Sequence, residues 1–264
     1  MQGYWLTKHM EHHCPQVNEH SDAYKRLNMR WHSFRARRLR RAPLIHYLHV
    51  PKNGGMALRS VFDKYDDHPT APAIFIRQHH LIRLRHLPRG AGYFFAVRDP
   101  VERFFSAFYS SEAPASPRRN RLGAAKPLAR VDKVTIAGFE NACDLAEALS
   151  AGGEDQLRAE AALHAKAHFR RTHRWFFDEP ERLFETRPPL AVLRVEMLNA
   201  DFERFAKGLG FTNPPEFPKD DAEAHRAAVK PRKPLSDLAR RNLEEWYRED
   251  IAFVALARQW AEAQ

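Results

Sequence analysis

The 264 residues include only 2 cysteines, Cys14 and Cys143, with no paired spacing. That excludes a disulfide framework or a thiolate zinc site and fits a reducing compartment. No apolar run approaches the ~18 residues of a membrane helix, and no apolar h-region lies near Met1. The expectation is a soluble, cytoplasmic chain without a membrane span. No internal repeat is evident. Acidic residues are outnumbered, 33 against 43 Lys and Arg, giving a net charge of +10. Such an excess favours anionic partners: nucleotides, acidic glycans, nucleic acid or an anionic membrane surface. Hydrophobic residues at 44% support a globular class, and the length suits one sizeable core.

Residues 1–42 differ from the rest and read as a basic, His-containing N-terminal extension. His9, His12, His13, His20 and His32 are scattered among polar residues, and the segment closes on the basic run RARRLRRA from Arg35. HxxHH lacks convergent partners, so a solvated extension is favoured over a metal-binding arm. A short helix is expected over 22–38, and its basic run suits nucleic acid, anionic lipid or simple solvation. Residues 43–264 read as one α/β domain. Strands are expected at 44–50, 73–76, 92–97 and 189–195. Helices are expected at 55–65, from Val101, at 137–150, 154–177 and 200–211, and as one long terminal helix capped by Ser236. Strands alternating with helices argue for a parallel sheet under helical cover.

Two segments carry chemistry. HVPKNGG joins the first strand to the first helix of the domain, where ligands of open parallel sheets bind. Gly54 and Gly55 admit close backbone approach, the helix start favours an anion, and Lys52 adds a full charge. The pattern differs from the Walker loop GxxxxGK[ST], which disfavours an ordinary ATPase or kinase. In FFAVRDPVERFFSAFYS, Asp99 and Glu102 form a capping box around Pro100 at the first helical position. Val101, Phe104, Phe105 and Phe108 line a core-facing stripe, with Arg103 and Ser106 off it. Arg98, just before the cap, suits bidentate contact with a phosphate or a structural pairing with Asp99.

Together HVPKNGG and VRDPVERFFSAF resemble the sulfotransferases that use 3′-phosphoadenosine 5′-phosphosulfate (PAPS), in particular the carbohydrate branch containing the heparan sulfate 2-O group and its bacterial-type members. The resemblance extends over about residues 44–258 through HHLIRLRHLP, VEMLNADFERFAKGLGF and the closing loop and helix. It implies a P-loop-like parallel sheet flanked by helices, the sulfotransferase fold. It implies that Lys52, Asn53, Gly54, Gly55, Met56, Ala57 and Leu58 form the 5′-phosphosulfate site, with Lys52 also catalytic. Arg98 and Ser106 would bind the 3′-phosphate, and the basic closing loop, including Arg232, would fold over the nucleotide. The implied reaction is sulfuryl transfer to a hydroxyl acceptor of a carbohydrate or glycoconjugate, with no metal.

The resemblance also implies a histidine general base after Gln78. His79 or His80 takes the role according to register, with His79 narrowly preferred. Glu196 either orients substrate or acts as a helix-start acid. The family's loop usually carries Thr or Ser where this chain has Met56 and Ala57, which leaves a catalytically degenerate nucleotide- or anion-binding relative as the alternative. A basic nucleic-acid-binding protein is a third, disfavoured reading.

Overall fold

The computed structural model describes residues 21–40, 43–66, 72–109, 136, 138–214, 217 and 234–264, with backbone alone for 32, 35–40 and 63–66. Four strands form a wholly parallel sheet: β1 (Leu44–Leu48), β2 (Ile74–Arg77), β3 (Gly92–Val97) and β4 (Ala191–Arg194), in the order β2-β1-β3-β4. Leu48 aligns with Phe95, and Val97 with Arg194. The α/β expectation with a parallel sheet therefore holds. The chain leaves β1 for β2 on one side and returns as β3 on the other. This makes the carboxyl ends of β1 and β3 the topological switch point, where open α/β sheets hold ligands.

The described chain falls into two compact units: Met1–Arg98 with His173–His225 and Ala252–Gln264, and Asp99–Thr172 with Arg226–Ile251. The first contains the sheet, and every residue of β1 is buried, as a strand covered on both faces requires. One face packs Ile45, Tyr47, Phe75, Phe94 and Leu193 against Leu58, Val61 and Phe62 of α2 (Gly55–Asp66) and Phe202 and Phe205 of the helix Leu198–Gly208. The other packs Leu48, Phe95, Val97 and Val192 against Met29 of α1 (Asp22–Arg40), Phe177 and, near the C-terminus, Phe253, Val254 and Ala257. α1 is also held at its start by Asp22, whose carboxylate meets Arg85 at 2.6 Å and His86 Nε2 at 3.1 Å.

The second unit contains α3 (Pro100–Tyr109), α4 (Ala142–Ala148), α5 (Gly153–Ala165), a further turn over Ala167–Arg170 and the helix Asp237–Trp246. Asp99 Oδ1 accepts from Glu102 N–H at 2.9 Å, and Ser236 Oγ from Ala239 N–H at 3.1 Å, as their spacings predict. The helix expected over 154–177 instead breaks at Lys166, whose ψ of 117° leaves the helical region while its ammonium sits 4.8 Å from the Phe169 ring. The terminal helix is likewise interrupted, at Tyr247, and resumes over Arg248–Glu262. Tyr247 packs in the second unit's core, whereas Phe253 onward serves the first.

Candidate functional site at the carboxyl edge of the sheet

The turn after β1 is built around unusual backbone. Lys52 has φ 71°, the one positive φ among described non-glycine residues, and Gly54 follows at φ 72°. A side chain in this left-handed region costs roughly 1–2 kcal/mol. Such strain persists only where neighbours enforce it and gathers at functional sites. Here the enforcing neighbour is Asn53, which is fully buried. Its Nδ2 donates one hydrogen to Ala96 O on β3 at 2.7 Å and directs the other at His173 Nε2, also 2.7 Å. The turn is thereby tied across the switch point, while Asn53 Oδ1 has no hydrogen-bond partner among the described residues.

Each glycine has a neighbour that explains it. A Cβ on Gly54 would lie 3.2 Å from Leu198 Cδ2, in the segment following β4. At Gly55 a Cβ would fall 1.9 Å from Nε2 of His49, whose ring stacks on Tyr47 at 5.2 Å. α2 opens there. Leu58 N–H donates to Gly54 O at 3.0 Å, so the N–H groups of Gly55, Met56 and Ala57 precede the first intrahelical bond and carry the helix's positive end. Leu58 is wholly buried and serves the core. Ser60, the nearest hydroxyl on α2, donates back to Ala57 O at 2.7 Å.

Arg98 directly follows β3, beside the turn in strand order, and is half-buried. Its backbone N–H donates to His173 Nε2 at 3.4 Å. Because this nitrogen faces a backbone donor and also meets Asn53 Nδ2, the imidazole proton belongs on Nδ1. His173 thus accepts from both halves of the site. No local motif marks it in the sequence: it lies 120 residues from Asn53, and only the fold brings the two together.

The histidine pair follows β2 on the same edge, and Gln78 N–H extends the ladder to Tyr47 O at 2.9 Å. The two rings differ in the proton they carry. His80 Nδ1 points at His49 O, 3.2 Å away, which requires a proton on Nδ1 and leaves the lone pair on Nε2. His79 is exposed, and its Nδ1 accepts from Leu81 N–H at 3.3 Å, which puts its proton on Nε2. The His80 ring lies 4.1 Å from that of His49. His49, the filler above Gly55, was not singled out by the sequence, because a histidine within an apolar run read as a buried strand passes for ordinary core.

Lys52 to Leu58, His79, His80 and Arg98 therefore come from three adjacent strand ends of the first unit. Ser106 lies on α3 in the second unit, half-buried, and Arg232 falls outside the described residues, as do His9, His12, His13 and His20. Arg103 is entirely buried, donating to His168 O at 2.7 Å and Phe169 O at 3.2 Å, a structural role within its unit. Glu196 pairs with Arg258 at 2.8 Å. Beside it, Asp201 engages Arg194 through both oxygens at 2.8 Å, so the acidic groups after β4 are paired with arginines.

Among the described residues no group of three His, Cys, Asp or Glu side chains is placed to hold a metal ion. No described helix is long and apolar enough to cross a membrane. No protein-family model matches the chain, and no curated protein matches it. Fold and site together define an α/β protein whose parallel sheet presents, at its switch point, a strained basic turn opening a helix.

Proposed function

We propose that the protein is a sulfotransferase that uses PAPS as donor and a hydroxyl, of a sugar or glycoconjugate, as acceptor. The observation that supports this most is Lys52 itself. A lysine held at φ 71° in a turn that opens a helix, at the switch point of a parallel sheet, is strained backbone beside a helix start that favours an anion. The sequence resemblance of HVPKNGG and VRDPVERFFSAF to PAPS-dependent enzymes narrows the anion to a phosphosulfate.

The donor supplies a sulfuryl group already activated on a phosphate. The residues present fit its 5′ end: the amides of Gly55, Met56 and Ala57 are donors fixed in advance at the helix start, Lys52 adds a positive charge in the same turn, and together they offset charge as the phosphate oxygen departs. Arg98 is suited to the 3′-phosphate through a bidentate guanidinium. His80 is the better base by geometry. Its Nδ1–H···O=C bond fixes the tautomer whose Nε2 takes the acceptor's proton.

Met56 and Ala57 favour a second reading, a relative that binds nucleotide without turnover, because the loop lacks the hydroxyls its resemblance leads one to expect. Incubation with sulfur-labelled PAPS and a panel of glycans separates the two. Label on a glycan, lost with His80→Ala, is expected. Nucleotide binding without transfer to any acceptor or water would favour the second reading.

A further inference from the structure

His49 has no task in the reaction as proposed, yet its ring touches both halves of the catalytic edge. It directly follows β1 and is buried, at 6% exposure. On one side, Nε2 is the atom nearest the place that a Cβ of Gly55 would take. Cα–Cβ bonds of a helix tilt toward its N-terminus, so that place lies beside the first amides of α2. The side chain missing at Gly55 therefore makes room for an imidazole. On the other side the same ring meets His80, with centroids 4.1 Å apart and 43° between the planes.

The segment that carries His80 hangs on the same strand. Gln78, buried at 4% exposure, donates its N–H to Tyr47 O at 2.9 Å and brings Nε2 to 2.7 Å from His46 Nδ1. His80 Nδ1 then meets His49 O. That bond sets the His80 proton, and the His49 ring against the imidazole sets its tilt and its distance from the helix start. A nitrogen-to-nitrogen hydrogen bond between two imidazoles would hold their centroids about 5 Å apart. At 4.1 Å the rings meet through their faces, which gives spacing and no proton relay. The spacing bears on the chemistry. As the acceptor oxygen bonds to sulfur, the bond from sulfur to the phosphate oxygen breaks and the acceptor proton passes to His80 Nε2. Sulfur is held at the helix start and the proton's destination by His80, and an error of about 1 Å between such groups costs about 10²-fold.

We propose that His49 is a positioning residue that acts through His80: its ring is the spacer that keeps the base in register with the group held at the opening of α2. The proposal rests on the sulfotransferase reading and on His80 as the base. It is tested by measuring transfer from PAPS at saturating donor and acceptor, alongside calorimetric affinity for 3′-phosphoadenosine 5′-phosphate. His49→Ala should slow transfer by about 10–100-fold while nucleotide affinity changes by less than about threefold. In the His80→Ala background the same substitution should alter the residual rate by less than about threefold, because a residue that acts through His80 has nothing left to position. His49→Gln, which keeps a flat group of similar reach, should show a smaller loss, again only while His80 is present. Unchanged nucleotide affinity also certifies that each variant is folded. Equal losses with and without His80, a fall in nucleotide affinity that accounts for the slower transfer, or parental rates in both variants would overturn the positioning role alone. A parent chain that transfers nothing from PAPS would instead overturn the reading on which the role rests, and the role with it.

Discussion

Asn53 Nδ2, on the residue that follows the strained Lys52, lies 2.7 Å from His173 Nε2, and both side chains are buried. The contact makes a histidine outside every motif the acceptor that fixes the turn containing Lys52. His173→Ala leaves donors of both Asn53 and Arg98 without it, at a cost of about 1–3 kcal/mol. Thermal unfolding and nucleotide titration should both register the loss. His173→Gln, which can return an acceptor near the Nε2 position, should recover part of each; equal defects in the two variants would remove the acceptor role.

Gly55→Ala forces a Cβ to within 1.9 Å of His49 Nε2 unless that ring moves. Since His49 is buried against Tyr47, the expected destabilisation is about 1–3 kcal/mol. Adding His49→Ala should relieve much of it. Strictly additive effects in the double variant would show that the ring is not the obstacle.

Lys52→Gly releases the left-handed strain and should leave stability unchanged or raised by up to about 1 kcal/mol. Donor affinity and transfer should fall together. A variant that melts earlier yet retains affinity would separate Lys52 from the site.

The tautomers separate the histidine pair. His80→Ala should lower transfer by about 10²–10⁴-fold, while His79→Ala, which alters an exposed ring, should retain most of it. The reverse pattern in initial rates would return the base to His79.

Acid should loosen the start of α1. Burial opposes ionisation of Asp22, but hydrogen bonds from Arg85 and His86 outweigh it and hold the carboxyl at about 2 against a usual 3.8. A depressed carboxylate stabilises fully above roughly pH 4, and that contribution is lost as pH falls toward 2. Burial also lowers the His86 pKa despite Asp22, so its contribution is present above about pH 6.5 and is lost on acidification. Both act in the same direction. Asp22→Asn should flatten the acid limb of the melting-temperature profile below pH 4; an unchanged slope there would remove Asp22 from the linkage.

The apolar run at β1, the glycines after Lys52 and the Asp99 cap were legible because each depends on neighbours in sequence. Asn53 was recognised as part of the turn, but its anchoring contacts were not visible: Ala96 and His173 reach it only through strand pairing and a distant segment. The histidine pair was legible as a pair, whereas its tautomers depend on the carbonyl of His49 and the amide of Leu81. The breaks at Lys166 and Tyr247 were hidden for a related reason. Helical periodicity continues through both positions, and only the packing of Lys166 on Phe169 and of Tyr247 in the second unit's core distinguishes them.

The nucleotide site is tested most directly by calorimetric titration of the folded chain with 3′-phosphoadenosine 5′-phosphate, using AMP as the control that lacks the 3′-phosphate. Tight binding with clear preference over AMP, reduced by Arg98→Ala, is the predicted result. Binding to neither nucleotide by a folded sample would contradict the assignment of Lys52 and Arg98 to a common nucleotide.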